Sequence, residues 1–70
     1  MSNANPHHIK CLKAVAALHG SIEELAGELE VSPQAAYNWI MNKRIPAKYI
    51  KHLVRLSDDR FDAEDFLPED

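Results

Sequence analysis

A single cysteine, Cys11, stands in the 70-residue sequence. No internal disulfide can form, and a chain of this kind is expected in a reducing cytoplasm. No apolar run approaches the roughly eighteen residues that a membrane-crossing helix needs, and Met1 is followed by no apolar signal segment. A soluble protein without a membrane partner is therefore the expectation. Glycine is almost as scarce, with two residues, and no glycine-rich loop is present to cradle phosphates. Cys11 and the four histidines lack a third group to orient them as a nucleophile and base, and the carboxylates crowd toward the C-terminal end. An enzyme is not expected, and neither is a cofactor.

Cations are also the minority: eight against eleven anions, for a net charge of −3. Their distribution matters more than the total. Up to Arg55 the cations Lys10, Lys13, Lys43, Arg44, Lys48, Lys51 and Arg55 outnumber Glu23, Glu24, Glu28 and Glu30, a local +3. From Leu56 onward Arg60 faces Asp58, Asp59, Asp62, Glu64, Asp65, Glu69 and Asp70, a local −6. Exposed charges act over a screening length of about 8 Å, so a basic patch can bind phosphate on a net acidic protein.

What is present is helical periodicity. Residues 1–6 read as a disordered leader, 7–67 as one domain and 68–70 as an acidic tail. A domain this small buries only about 60% of its unfolded surface. A first helix starts near Pro6 and carries Ile9, Leu12, Val15 and Ala16 inward until His19 and Gly20 stop it. Ser21 and Glu24 have the spacing of a capping box ahead of Ile22, Leu25, Ala26 and Leu29. Ser32 then caps a third helix over 33–42, with Pro33 in the first-turn position, where a missing N–H costs nothing. After the loop Asn42-Lys43-Arg44, Pro46 opens a fourth helix that repeats Ile50, Leu53 and Val54 on one face, and Asp62 is placed to cap a single turn over 63–66. The expected core is Ile9, Leu12, Val15, Ala16, Leu25, Ala26, Leu29, Val31, Ala36, Trp39, Ile40, Ile50, Leu53, Val54 and Phe61. The fold class is all-α, a compact four- to five-helix bundle with a helix-turn-helix.

The third helix has an unusual outer face. Ala36, Trp39 and Ile40 share one side, while Gln34, Tyr37, Asn38 and Met41 point the other way. A solvated face is ordinarily filled with Lys and Glu; here it is amide-rich, uncharged and followed at once by Lys43 and Arg44. Gln and Asn four residues apart suit adenine N6 and N7, each amide being able to pair bidentately. Tyr37 suits a thymine methyl or a phosphate, and Met41 completes the base-reading set. Ser32 at the helix N-terminus, with Lys43, Arg44 and Lys48 beyond its end, forms the candidate phosphate track.

These residues resemble the Cro-type helix-turn-helix repressors, especially the short prophage Cro-like proteins and the related YdaS-type antitoxins. The resemblance covers about residues 21–65. It rests on Leu25-Ala26, Val31-Ser32-Pro33, Ala35-Ala36-Tyr37-Asn38-Trp39 and Ile45-Pro46-Ala47. It implies a lambda-repressor-like DNA-binding architecture and a repressor of a double-stranded operator, its recognition helix in the major groove; a homodimer is expected because the few base contacts of one copy discriminate weakly within a genome. Two positions depart from the family pattern: Glu30 stands where glycine is usual and Ala36 where a branched aliphatic is frequent. Glycine there serves a left-handed backbone, so Glu30 either bears about 1–2 kcal/mol of strain or marks a differently shaped turn.

Two other readings compete. His7, His8 and Cys11 have helical spacing that could converge on a metal, but a structural zinc site wants four ligands, and His19 and His52 would have to come from elsewhere. Exposed histidines, a partly buried thiol and no metal are expected. The alternative function is a protein-interaction module, or an antitoxin-like partner-binding protein, using Tyr37, Trp39, Met41 and Tyr49; the net negative charge favours it.

Overall fold

A computed structural model describes residues 6–67 as four helices, α1 (His7–Leu18), α2 (Ile22–Leu29), α3 (Pro33–Asn42) and α4 (Ala47–Leu56), ending in a 3₁₀ turn at Ala63–Phe66. No strand occurs among these residues. The expected leader, apart from Pro6, and the expected tail 68–70 lie outside the described residues. Pro6 sits at the N-cap of α1, its carbonyl accepting from the amides of Ile9 and Lys10 at 3.0 Å each.

Local chemistry sets each boundary. Gly20, at φ +113°, makes the turn between α1 and α2, and a Cβ there would stand 3.3 Å from Glu24 Cγ. Of the two bonds of the capping box at Ser21, the structure forms one: Ser21 Oγ accepts from the Glu24 amide at 3.1 Å. Ser32 caps α3 in the same way, accepting from the Ala35 amide at 3.2 Å.

The ends of α2 and α3 are built alike. Glu30 takes the left-handed conformation (φ 61°, ψ 40°), as does Lys43 (φ 56°, ψ 44°). The Glu30 amide reaches Gly27 O at 3.1 Å and the Val31 amide Ala26 O at 3.0 Å; Lys43 and Arg44 repeat the pair on Ile40 O and Trp39 O at 3.3 and 2.9 Å. These are the two bonds of a Schellman motif. The turn after α2 therefore keeps the left-handed geometry, and Glu30 carries its Cβ penalty, about 1–2 kcal/mol.

The α2–α3 pair packs through Leu25, Ala26, Leu29, Ala36 and Trp39, all buried. Ala26, with no exposed surface, lets the two helices approach. Across the core Trp39 meets Tyr49 with ring centroids 5.0 Å apart. Four residues expected in the core, Val31, Ile40, Val54 and Phe61, are only partly buried and pack against its edge. Cys11, Ile45 and Phe66 are buried instead. The cause at the C-terminal end is the 3₁₀ turn, which swings Phe66 inward against α1, leaving Phe61 to cover its edge with centroids 5.9 Å apart.

The histidines of α1 also differ from expectation. His8 is buried and His19 is half-buried. His8 Nε2 donates to the Lys43 carbonyl at 2.8 Å, and His19 Nε2 donates to the Leu56 carbonyl at 3.0 Å. Each satisfies a carbonyl at the end of a later helix, where no intrahelical amide is available. His7, half-exposed, bonds Asp65 Oδ1 at 2.9 Å. Among the described residues no helix is long and apolar enough to cross a membrane.

Candidate nucleic-acid interface

With Ala36 and Trp39 committed to the core, the helical period turns Gln34, Tyr37, Asn38 and Met41 outward, and all four are exposed. Met41 is 77% exposed, the most of any large apolar residue described. Gln34 Nε2 donates to Asn38 Oδ1 at 3.3 Å. That bond leaves the Gln34 carbonyl and the Asn38 amide N–H groups uncommitted, an acceptor and donors on one exposed face.

Tyr37 has a different attachment. Its hydroxyl donates to Glu23 Oε2 on α2 at 2.7 Å. The bond holds the Glu23 carboxyl below its usual range and raises the Tyr37 phenol above its own. Tyr37 thus ties α2 to α3 while remaining 39% exposed.

The flanks of this face carry the positive ends. At the N-terminus of α3, Ser32 is exposed beside amides that point along the helix axis, with the positive end of the helix dipole behind them. At the C-terminus Lys43 and Arg44 are exposed in the Schellman turn. Lys48 lies with Nζ 5.3 Å from the Tyr49 ring centroid, a cation–π distance. The one ion pair among the described residues is His7–Asp65, so no described carboxylate directly neutralises Lys43, Arg44 or Lys48. Lys10 and Lys13 are exposed on α1.

A family model described as "Bacterial toxin YdaS" matches residues 12–70. The chain belongs to this family. It is thus a protein of toxin-antitoxin or regulatory type, its regular structure entirely helical among the described residues. No curated protein and no solved structure matches the chain.

Two features of this YdaS-family chain escape a local reading of its sequence. One is His8, whose bond to the Lys43 carbonyl fixes the turn presenting Lys43 and Arg44. A signal existed: residues 8, 11, 12 and 15 follow the three- and four-residue spacing of an inward stripe. The other is the grouping of His7, Cys11 and Asp65, whose ligating atoms lie within 4.8 Å of one another. Here His8 leaves the trio suggested by spacing and Asp65 enters it. Burial, followed by the Asp65 charge, pushes the Cys11 thiol above its ordinary range, which leaves it protonated and a poor nucleophile.

Proposed function

We propose that this YdaS-family protein is a sequence-specific double-stranded DNA-binding transcriptional regulator, a Cro-like repressor of prophage type that lays α3 in the major groove. The observation carrying this reading is the acid-free amide face of α3 between a serine-capped N-terminus and the Lys43-Arg44 turn, neither cation paired with a described carboxylate. Gln34, Tyr37, Asn38 and Met41 read bases; Ser32, Lys43, Arg44 and Lys48 hold phosphates. Three or four base contacts at about 1–3 kcal/mol each discriminate too weakly against the roughly 10⁶–10⁹ competing sites of a genome. The working form is therefore a homodimer on a two-fold operator, half-sites about one helical turn apart. An apolar groove of about 550 Å³ along α4, lined by Ala47, Ile50, Val54, Ala63 and Leu67 with Lys51 and Arg55, supports pairing through α4 and the 61–67 segment.

Selection of bound duplexes from a random pool supplies the cognate site for the test. Gln34→Ala and Asn38→Ala each weaken cognate binding by about 1–3 kcal/mol and leave scrambled duplex nearly unaffected. Equal losses on both duplexes, with the helical circular dichroism intact, would remove these amides from base reading. A second reading, an antitoxin-like or other partner-binding module, draws on the exposure of Met41 and the net negative charge. Specific capture of a protein partner with no retention on DNA would favour it.

A further inference from the structure

We propose that His7, Cys11 and Asp65 form a binding site for a zinc-like divalent cation, which pins the C-terminal 3₁₀ turn to the first turns of α1. The three come from two separate elements, and the two on α1 precede the residues matched by the family model. Imidazole, thiolate and carboxylate together suit Zn²⁺, whose bonds to N, S and O run about 2.0–2.3 Å in tetrahedral geometry. Those lengths place a ligating S and N about 3.6 Å apart, and N and O about 3.4 Å apart. Cys11 Sγ already lies 3.5 Å from His7 Nε2. The Asp65 oxygen, 2.9 Å from the same nitrogen and within 4.8 Å of the sulfur, has to draw back from the imidazole by about half an ångström and close on the sulfur to about 3.6 Å to share the ion.

A hydrogen-bonded catalytic triad does not fit this cluster. In a triad the imidazole receives the thiol proton on one nitrogen and is oriented through the other; here sulfur and carboxylate converge on the same Nε2. Convergence on one point is what ligation requires. The carboxylate is oriented for it, since Asp65 Oδ2 accepts from the Asp62 amide at 2.8 Å, leaving Oδ1 toward the imidazole. Cys11 is buried, whereas the side chains of His7 and Asp65 are 54% and 32% exposed. The cation enters from their side, and solvent supplies the remaining ligand. Cys11 gives up its proton as it binds. Phe66, next to Asp65, is fully buried, so the ion would hold the last core residue in place.

Cobalt(II) is the probe, titrated into the reduced full chain carrying no added histidine tag. The expected result is a single cation per chain, with tetrahedral d–d bands and a thiolate-to-cobalt charge-transfer band that zinc bleaches. Cys11→Ser removes the charge-transfer band. Asp65→Asn retains that band but weakens binding about tenfold or more, since loss of even an outer-shell partner costs 10–100-fold. Because Cys11 is buried, its serine variant is compared only if its circular dichroism is native; the surface variants Asp65→Asn and His7→Gln carry the test otherwise. Absence of the charge-transfer band in the folded wild-type protein at millimolar cobalt would overturn the proposal, as would undiminished affinity in both Asp65→Asn and His7→Gln.

Discussion

The α2–α3 pair and α1 are held in place by different physics. The pair is fixed by contacts between sequence neighbours: caps at Ser21 and Ser32, Schellman bonds at Glu30 and Lys43, and apolar packing of Leu25, Ala26, Leu29, Ala36 and Trp39. α1 shares the apolar core, yet its polar anchors reach far along the chain, from His8 to residue 43, from His19 to 56 and from His7 to 65. The local design gives the helix-turn-helix its shape. The long-range histidines orient that shape against the rest of the bundle, and His8 does so at the turn that presents Lys43 and Arg44.

The comparison breaks first at the core. Leu25→Ala removes a side chain with no exposed surface at the centre of the pair, and a loss of about 2–5 kcal/mol is expected on chemical denaturation. A loss below about 1 kcal/mol would mean that the α2–α3 interface is not the main source of its own order. His8→Ala comes next. It removes a buried side chain and leaves the part-buried Lys43 carbonyl without its donor, for an expected cost of about 1–3 kcal/mol. His19→Ala should cost less, because water can replace its half-buried bond. Equal costs for the two would show that burying the His8 ring adds nothing beyond the half-buried bond of His19. The smallest effect is Glu30→Gly, expected to be neutral or stabilising by up to about 1 kcal/mol on thermal melting, since glycine relieves the left-handed Cβ penalty while raising unfolded-state entropy. A clear loss of stability would reveal a favourable interaction made by the Glu30 side chain.

The same division decides what was legible in the sequence. Pro6, Gly20, Ser21, Ser32, Pro33, Pro46 and Asp62 act on their immediate neighbours, so the four helices and the final turn could be placed from them. The outward set on α3 followed from the period once Trp39 was assigned inward. Phe66 took the place in the core expected of Phe61 because the two stand at opposite ends of the Asp62-capped turn, and only the three-dimensional path of that 3₁₀ turn chooses between them. His8 and His19 were expected in solvent because polarity suggests exposure, while their burial depends on carbonyls 35 and 37 residues away. Asp65 joined His7 and Cys11 across 58 residues, a distance no local spacing can encode. At Glu30 the sequence left two turn shapes open, and the φ of 61° selects the left-handed one.

The most direct measurement is the salt dependence of affinity for the selected duplex, wild type against Lys43→Ala with Arg44→Ala. A protein that clamps phosphates with these two residues loses affinity on all duplexes when they are removed, and its log–log slope against salt flattens by about one to two units. An unchanged slope, or wild-type binding to duplex with no salt dependence at all, would contradict a role for this turn on the DNA backbone.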